Sequence, residues 1–131
     1  MRQQTWATVQ IEGTAPFSLD QEPLTPEAVA RLLRGLRDER DVTVSVQPQG
    51  LDERLLVAVD GTLAFLGMER PDGLFQFSQS DAGSTTRAFT IGGQEADIES
   101  RYLVDLEVAA IVVQEWLLGG EQSSVGVWER Q

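Results

Sequence analysis

The chain has 131 residues, 21 acidic against 10 basic, for a formal net charge of −11. It contains no cysteine and no histidine, which excludes disulfides, Ser-His-Asp and Cys-His nucleophile systems, and metal sites built on sulfur or imidazole. So acidic a chain is repelled by phosphate backbones and anionic membranes and is steered toward basic proteins, although acidity kept for solubility alone is the plainer alternative.

The length suits a single domain over residues 1–131 with a substantial core. No apolar run approaches the ~20 residues that a membrane-spanning helix needs. The start, Met1 to Trp6, lacks the apolar core and cleavage site of a signal peptide, so a cytoplasmic location is expected. Thr5 to Glu12 alternates as a first strand, and Gly13 to Pro23 reads as a loop broken by Pro16, Asp20 and Pro23. Thr25-Pro26-Glu27 is a helix start, with Thr25 as N-cap, Pro26 at the first helical position and Glu27 at the positive helix end. Val29, Leu32, Leu33 and Leu36 then recur at helical spacing, and the pattern predicts a helix to about Arg40 that Gly35 does not interrupt. Arg31, Arg34 and Arg37 fall on the opposite side. They suit phosphate contact or, more simply, a solvated face balanced by Asp38, Glu39 and Asp41.

Val42, Val44 and Val46 alternate with polar residues as a second strand, closed by Pro48-Gln49-Gly50. Arg54 to Val59 is apolar on both faces, as in a central strand covered on both sides. Asp60 to Ser78 then reads as a hairpin: Asp60-Gly61 turns the chain in, and Arg70-Pro71-Asp72-Gly73 turns it back. Ser80 to Ser84 is a turn or loop, Thr85 to Ile91 a further strand, and Gly92-Gly93 a turn. Glu95, Asp97 and Glu99 follow at every second position, so an extended backbone aims all three carboxylates the same way. A solvated edge that resists sheet-to-sheet aggregation, an acidic patch for a basic partner, an oxygen-ligand metal site and a glycosidase-type carboxylate pair all use such a row.

Tyr102-Leu103-Val104 leads into a second helix with Asp105 as N-cap and Glu107 in its first turn. Leu106, Ala109, Ala110, Val113, Trp116 and Leu117 form its apolar stripe, widened by Val108, Ile111 and Val112, so the helix should be largely buried. Gly119-Gly120 stops it, residues 121–124 form a polar link, and Val125 to Trp128 reads as a last strand with Trp128 in the core. No dinucleotide fingerprint, phosphate loop or metal box occurs. The predicted fold is a single α+β domain: a mostly antiparallel meander sheet of about six to seven strands with two helices packed on one face.

The order of segments in the second half carries a likeness. Gly61, Leu63 and Phe65 precede Gly73, Phe75 and Ser78. An acidic stretch follows, then a Tyr-Leu-Val-x-Leu-Glu helix start at Tyr102–Glu107, a helix ending Trp116-Leu117-Leu118-Gly119-Gly120-Glu121, and Val127-Trp128-Glu129. Residues 54–130 resemble the first-numbered immunity protein family of bacterial polymorphic toxin systems. The resemblance implies a non-enzymatic protein that binds and neutralises a cognate basic toxin, often of the deaminase fold. It implies no catalytic residue, metal or cofactor, no nucleic-acid or membrane partner, and a monomer or weak dimer when free. Charge and expected loop position nominate Asp72, Asp81, Glu95, Asp97 and Glu99 as partner contacts. A secretion or assembly chaperone and, further off, a carboxylate-based enzyme are the alternatives.

Overall fold

The computed structural model describes residues 6–12, 24–79, 85–119 and 125–131. The expected loops at 13–23, 80–84 and 121–124, together with Gly120 and Asp81, lie outside the described residues. The chain runs β1 (Ala7–Glu12), α1 (Pro26–Arg34), β2 (Val42–Pro48), β3 (Arg54–Asp60), β4 (Leu63–Arg70), β5 (Gly73–Ser78), β6 (Thr86–Ile91), β7 (Gln94–Glu99), β8 (Leu103–Asp105), α2 (Leu106–Gly119) and β9 (Val127–Arg130). A 3-10 turn, Ser100–Tyr102, precedes β8.

Seven of these strands form one antiparallel sheet in the order β1-β2-β3-β4-β5-β9, with β8 paired to β4. Two-residue turns set the register of the meander. Asp60 pairs Leu63 across Gly61-Thr62, and Arg70 pairs Gly73 across Pro71-Asp72. β5 holds the second half of β4, from Gly67 to Arg70, while β8 holds the first half, from Leu63 to Phe65. The expected α+β meander with two helices on one face is the fold observed. Two of the expected strands, however, leave the sheet: β6 and β7 pair only with each other. β8 takes a place in the sheet that a lead-in to the second helix does not foretell.

The helices share one face of the sheet. Val44, Val46, Val57, Leu66 and Met68 point to that side and bury against Leu33, Leu36, Val113 and Trp116, all 1% exposed or less. Each buried Leu or Val contributes roughly 1.5–3 kcal/mol of apolar transfer free energy, and this layer supplies most of the core. Trp128 joins it as expected: half-buried, it meets Phe77 edge-on at 5.2 Å between ring centres.

The helix starts form as the sequence indicates. The Thr25 hydroxyl oxygen accepts the Ala28 N–H at 3.2 Å, and the Asp105 carboxylate accepts the Glu107 N–H at 2.8 Å. The end of α1 differs from expectation. The helix stops at Arg34 rather than near Arg40, with Gly35 as its C-cap. Leu36, Arg37 and Glu39 then donate three residues back, to Leu33, Arg34 and Leu36, so tight turns carry Leu36 into the core without an α-helix. Asp38 takes φ 73°, a left-handed conformation that Asp tolerates and a continuing helix does not. Its N–H donates to the Gly61 carbonyl at 3.0 Å, and Gly61 donates to Glu39 at 2.7 Å. These bonds clamp the exit of α1 to the β3–β4 turn.

The arginine row of α1 finds different partners from the acidic residues that follow it in sequence. Arg34 bonds Glu107 at 2.9 Å and Arg37 reaches Asp105 at 3.5 Å, both at the start of α2. The bond to Arg34 raises the arginine pKa and lowers that of Glu107. Arg34 therefore ties α1 to α2, while Arg37, in the turns after α1, reaches the last residue of β8.

Candidate functional site: the second face of the sheet

Side chains of the second sheet face lie in rows that the strand register defines. One row runs Glu12, Thr43, Ala58, Phe65 and Leu103. The next runs Gln10, Ser45, Leu56, Gly67, Gln76 and Glu129. A third holds Arg54, Glu69 and Leu74.

The β6–β7 hairpin roofs the first row. Its turn, Gly92-Gly93, has positive φ at both residues (58° and 83°), the geometry of a two-residue hairpin loop whose twist matches the strands. Phe89, 1% exposed, presses on Ala58, Phe65 and Tyr102, with Ile91, Ile98, Leu63 and Leu103 around them. The Gly92 N–H donates to the hydroxyl of buried Thr43 at 2.9 Å, which pins the hairpin tip to β2.

At its other end the hairpin is tied to the last strand. Arg101 bonds Glu99 at 2.8 Å, lies 4.6 Å over the Tyr102 ring and donates to the Tyr102 hydroxyl at 2.7 Å. That hydroxyl donates to Glu129 of β9 at 3.1 Å. Burial, then the bond to the Glu129 carboxylate, raises the Tyr102 pKa above the ordinary 10.0.

The second and third rows stay open beside the hairpin and form a trough. Three adjoining hollows each share one lining residue with the next: Arg54, Leu56 and Glu69 are each common to two of them. One of about 270 Å³ lies toward Gln10, Glu12 and Ser45. One of about 320 Å³ lies toward Asp52, Glu53 and Pro71. Between the strands sits a slot of about 150 Å³ bounded by Leu56, Phe65, Gly67, Leu74, Gln76 and Gln131. Gly67 makes the slot: a Cβ there would stand 3.3 Å from the edge of the Phe65 ring, so the ring covers backbone that a side chain would otherwise occupy.

The nominated carboxylates fall into separate places. Glu95, Asp97 and Glu99 lie on strand β7, not on a loop, and are exposed. Their partners across the hairpin are Thr90, Ala88 and Thr86, whose alternation with buried Phe89 puts all three carboxylates on the outer face. The parallel aim expected for an extended backbone is therefore present. Glu99 is held by Arg101, whereas Glu95 and Asp97 have no basic partner among the described residues. Asp72 is not with them. It stands exposed at the β4–β5 turn, with Arg130 bound to its backbone carbonyl and near its carboxylate. The roofed Phe65 row and the Arg70–Gly73 rung lie five residues apart along β4, roughly 16 Å.

Among the described residues, no group of three or more carboxylates is disposed to hold a metal ion, and no helix is long and apolar enough to cross a membrane. In the trough, Glu69 pairs with Arg54 at 2.8 Å and Glu53 with Arg70 at 3.1 Å. Sequence reasoning missed the trough residues Leu56, Gly67, Leu74 and Gln76. Two signals existed for them: a glycine inside an apolar strand, which implies close approach of another group, and an apolar Leu74 beside a turn.

No family model matches the chain, and no curated protein is significantly similar to it.

Proposed function

We propose that the protein is a binding protein without catalysis, an immunity protein that sequesters a basic toxin, and that it binds through the second face of its sheet. The observation that carries this reading is the outer face of β7, where Glu95, Asp97 and Glu99 stand aligned and exposed. The likeness of residues 54–130 to toxin immunity proteins and the net charge of −11 support it. A toxin that acts on nucleic acid, such as a deaminase, needs a basic groove; an acidic inhibitor is drawn to that groove and occludes it. The hairpin rides on the sheet, so its outer face looks the same way as the trough opens. A partner seated on this side meets a raised acidic ridge and a recessed floor together. On this reading the protein acts in the cytoplasm and is a monomer or weak dimer until it meets its toxin.

The test is recovery of the tagged protein from its native cell at low and high salt, with mass spectrometry of what is retained. One basic partner at near one-to-one stoichiometry is expected. A collection of unrelated extended clients held by a stable dimer would instead mark an assembly chaperone. With the partner in hand, reversal of Glu95, Asp97 and Glu99 to Lys is expected to slow association roughly tenfold or more at low salt. An unchanged association rate removes the ridge from the interface.

A further inference from the structure

Beside the acidic ridge, the slot has a chemistry that the ridge does not. Its floor is apolar: Leu56, the edge of the Phe65 ring and the bare backbone of Gly67. Leu74, 55% exposed, forms one wall, and the amides of Gln76 and Gln131 line another side. At about 150 Å³ it is smaller than the roughly 300–1,000 Å³ of small-molecule sites, and it suits one large side chain. An apolar hole with amides at its rim is the form that interface anchor pockets take.

Charge selects the occupant. The cations of the trough are spoken for: Arg54 pairs Glu69 at 2.8 Å and Arg70 pairs Glu53 at 3.1 Å. Glu12 and Asp52, which line the adjoining hollows, have no basic partner among the described residues. The field over the slot is therefore negative. A second copy of the chain, itself at −11, is repelled, as is any anionic surface.

We infer that the slot receives one aromatic or aliphatic side chain of a basic polypeptide, anchored between Leu56, Phe65 and Leu74 with the flanking basic residues toward Glu12 and Asp52 of the adjoining hollows. This inference rests on the reading of the chain as a binder of a basic protein, and it assigns to that binder the contact that sets the lifetime of the complex. The acidic ridge governs encounter, and the buried anchor governs dissociation.

The full chain, isotopically labelled, is titrated with three five-residue peptides while its amide resonances are followed. The first has a central phenylalanine, flanking glycines and terminal arginines. The second replaces phenylalanine by alanine, and the third replaces both arginines by glutamates. Saturable shifts at Leu56, Gly67, Leu74 and Gln76 are expected with the first peptide alone, with affinity roughly tenfold or more above the alanine peptide. Leu74→Arg abolishes them. Val127→Arg leaves them intact: it adds the same charge at a residue equally exposed but outside the slot. Shifts confined to β7, an equal response to the alanine or glutamate peptide, or no shift with about 5 mM peptide, where millimolar binding is visible, each overturn the inference. The slot and the immunity reading fail separately. Slot binding without a toxin among the retained proteins discards the toxin and keeps the anchor. A toxin held equally well by L74R protein discards the anchor and keeps the toxin.

Discussion

One sheet presents two faces, and they are covered in different ways. On the first face, two helices bury a continuous layer that takes side chains from β1, β2, β3, β4, β5, α1 and α2. On the second, a two-stranded hairpin covers a single row, around Ala58, Phe65, Phe89 and Tyr102. β3 and β4 alternate, so both contribute to the two layers, yet the layers have separate tasks. Apolar burial is concentrated where the helices lie, while polar bonds locate the hairpin at both of its ends. The first face holds the fold; the second keeps an open floor and an acidic ridge available to a partner.

Substitutions on the two faces test that division. The largest loss is expected for Trp116→Ala, in the helical layer at 1% exposure. It should lower unfolding free energy by about 3–5 kcal/mol in a denaturant titration, with loss of cooperativity for the whole sheet. Phe89→Ala is expected to cost about 2–3 kcal/mol, because the hairpin can detach without the sheet opening. Hydrogen exchange should then show β6 and β7 unprotected while β2, β3 and α2 remain slow. Equal acceleration everywhere would show that the two layers are one cooperative unit.

Smaller effects sharpen the picture. Tyr102→Phe removes the bonds to Arg101 and Glu129 and is expected to cost about 1 kcal/mol, with faster exchange in β9 and β7. Tyr102 is the chain's single tyrosine, so its ionisation is visible by absorbance alone. Burial and the Glu129 carboxylate raise its pKa in the folded protein above 10.0. The corresponding stability is therefore complete below the unfolded tyrosine pKa and is lost as pH rises through the higher folded value. In Glu129→Gln protein the titration should move back toward the ordinary tyrosine range. Smallest of all is the stability change when Glu95, Asp97 and Glu99 are reversed to Lys, expected within about 0.5 kcal/mol because the three are exposed. A large change there would make the ridge structural.

The meander was readable because its signals are local. Valines at every second position, and turn residues at Asp60-Gly61, Pro71-Asp72 and Gly92-Gly93, dictate strand and reversal within a few residues. Helix caps at Thr25 and Asp105 are local in the same sense. Apolar spacing misled at Leu36, since a series of tight turns can bury the same residue that a longer helix would. β8 escaped notice because it is only three residues long and its strand character comes from an edge of β4 distant in sequence. The acidic row on β7 followed from alternation, but its place on a separate hairpin did not. The slot was signalled locally only by a glycine inside an apolar strand and by Leu74 beside a turn, and neither gives its extent. It exists because the hairpin stops one row short, and no neighbour of Leu56 or Gly67 in sequence encodes that distance.

The shared edge of β4 has one further consequence. β5 leaves β4 after the Gly67–Gln76 pair, and β8 joins it at the Phe65–Leu103 pair, two residues farther along the same strand. Segment 79–102 thus departs from and returns to nearly the same point of the scaffold. It can be exchanged as a cassette: a shorter turn from Ser78 to Leu103, or a hairpin of other composition, leaves every rung of the parent sheet in register. Change in this insert would leave the helical core on the opposite face of the sheet as it is.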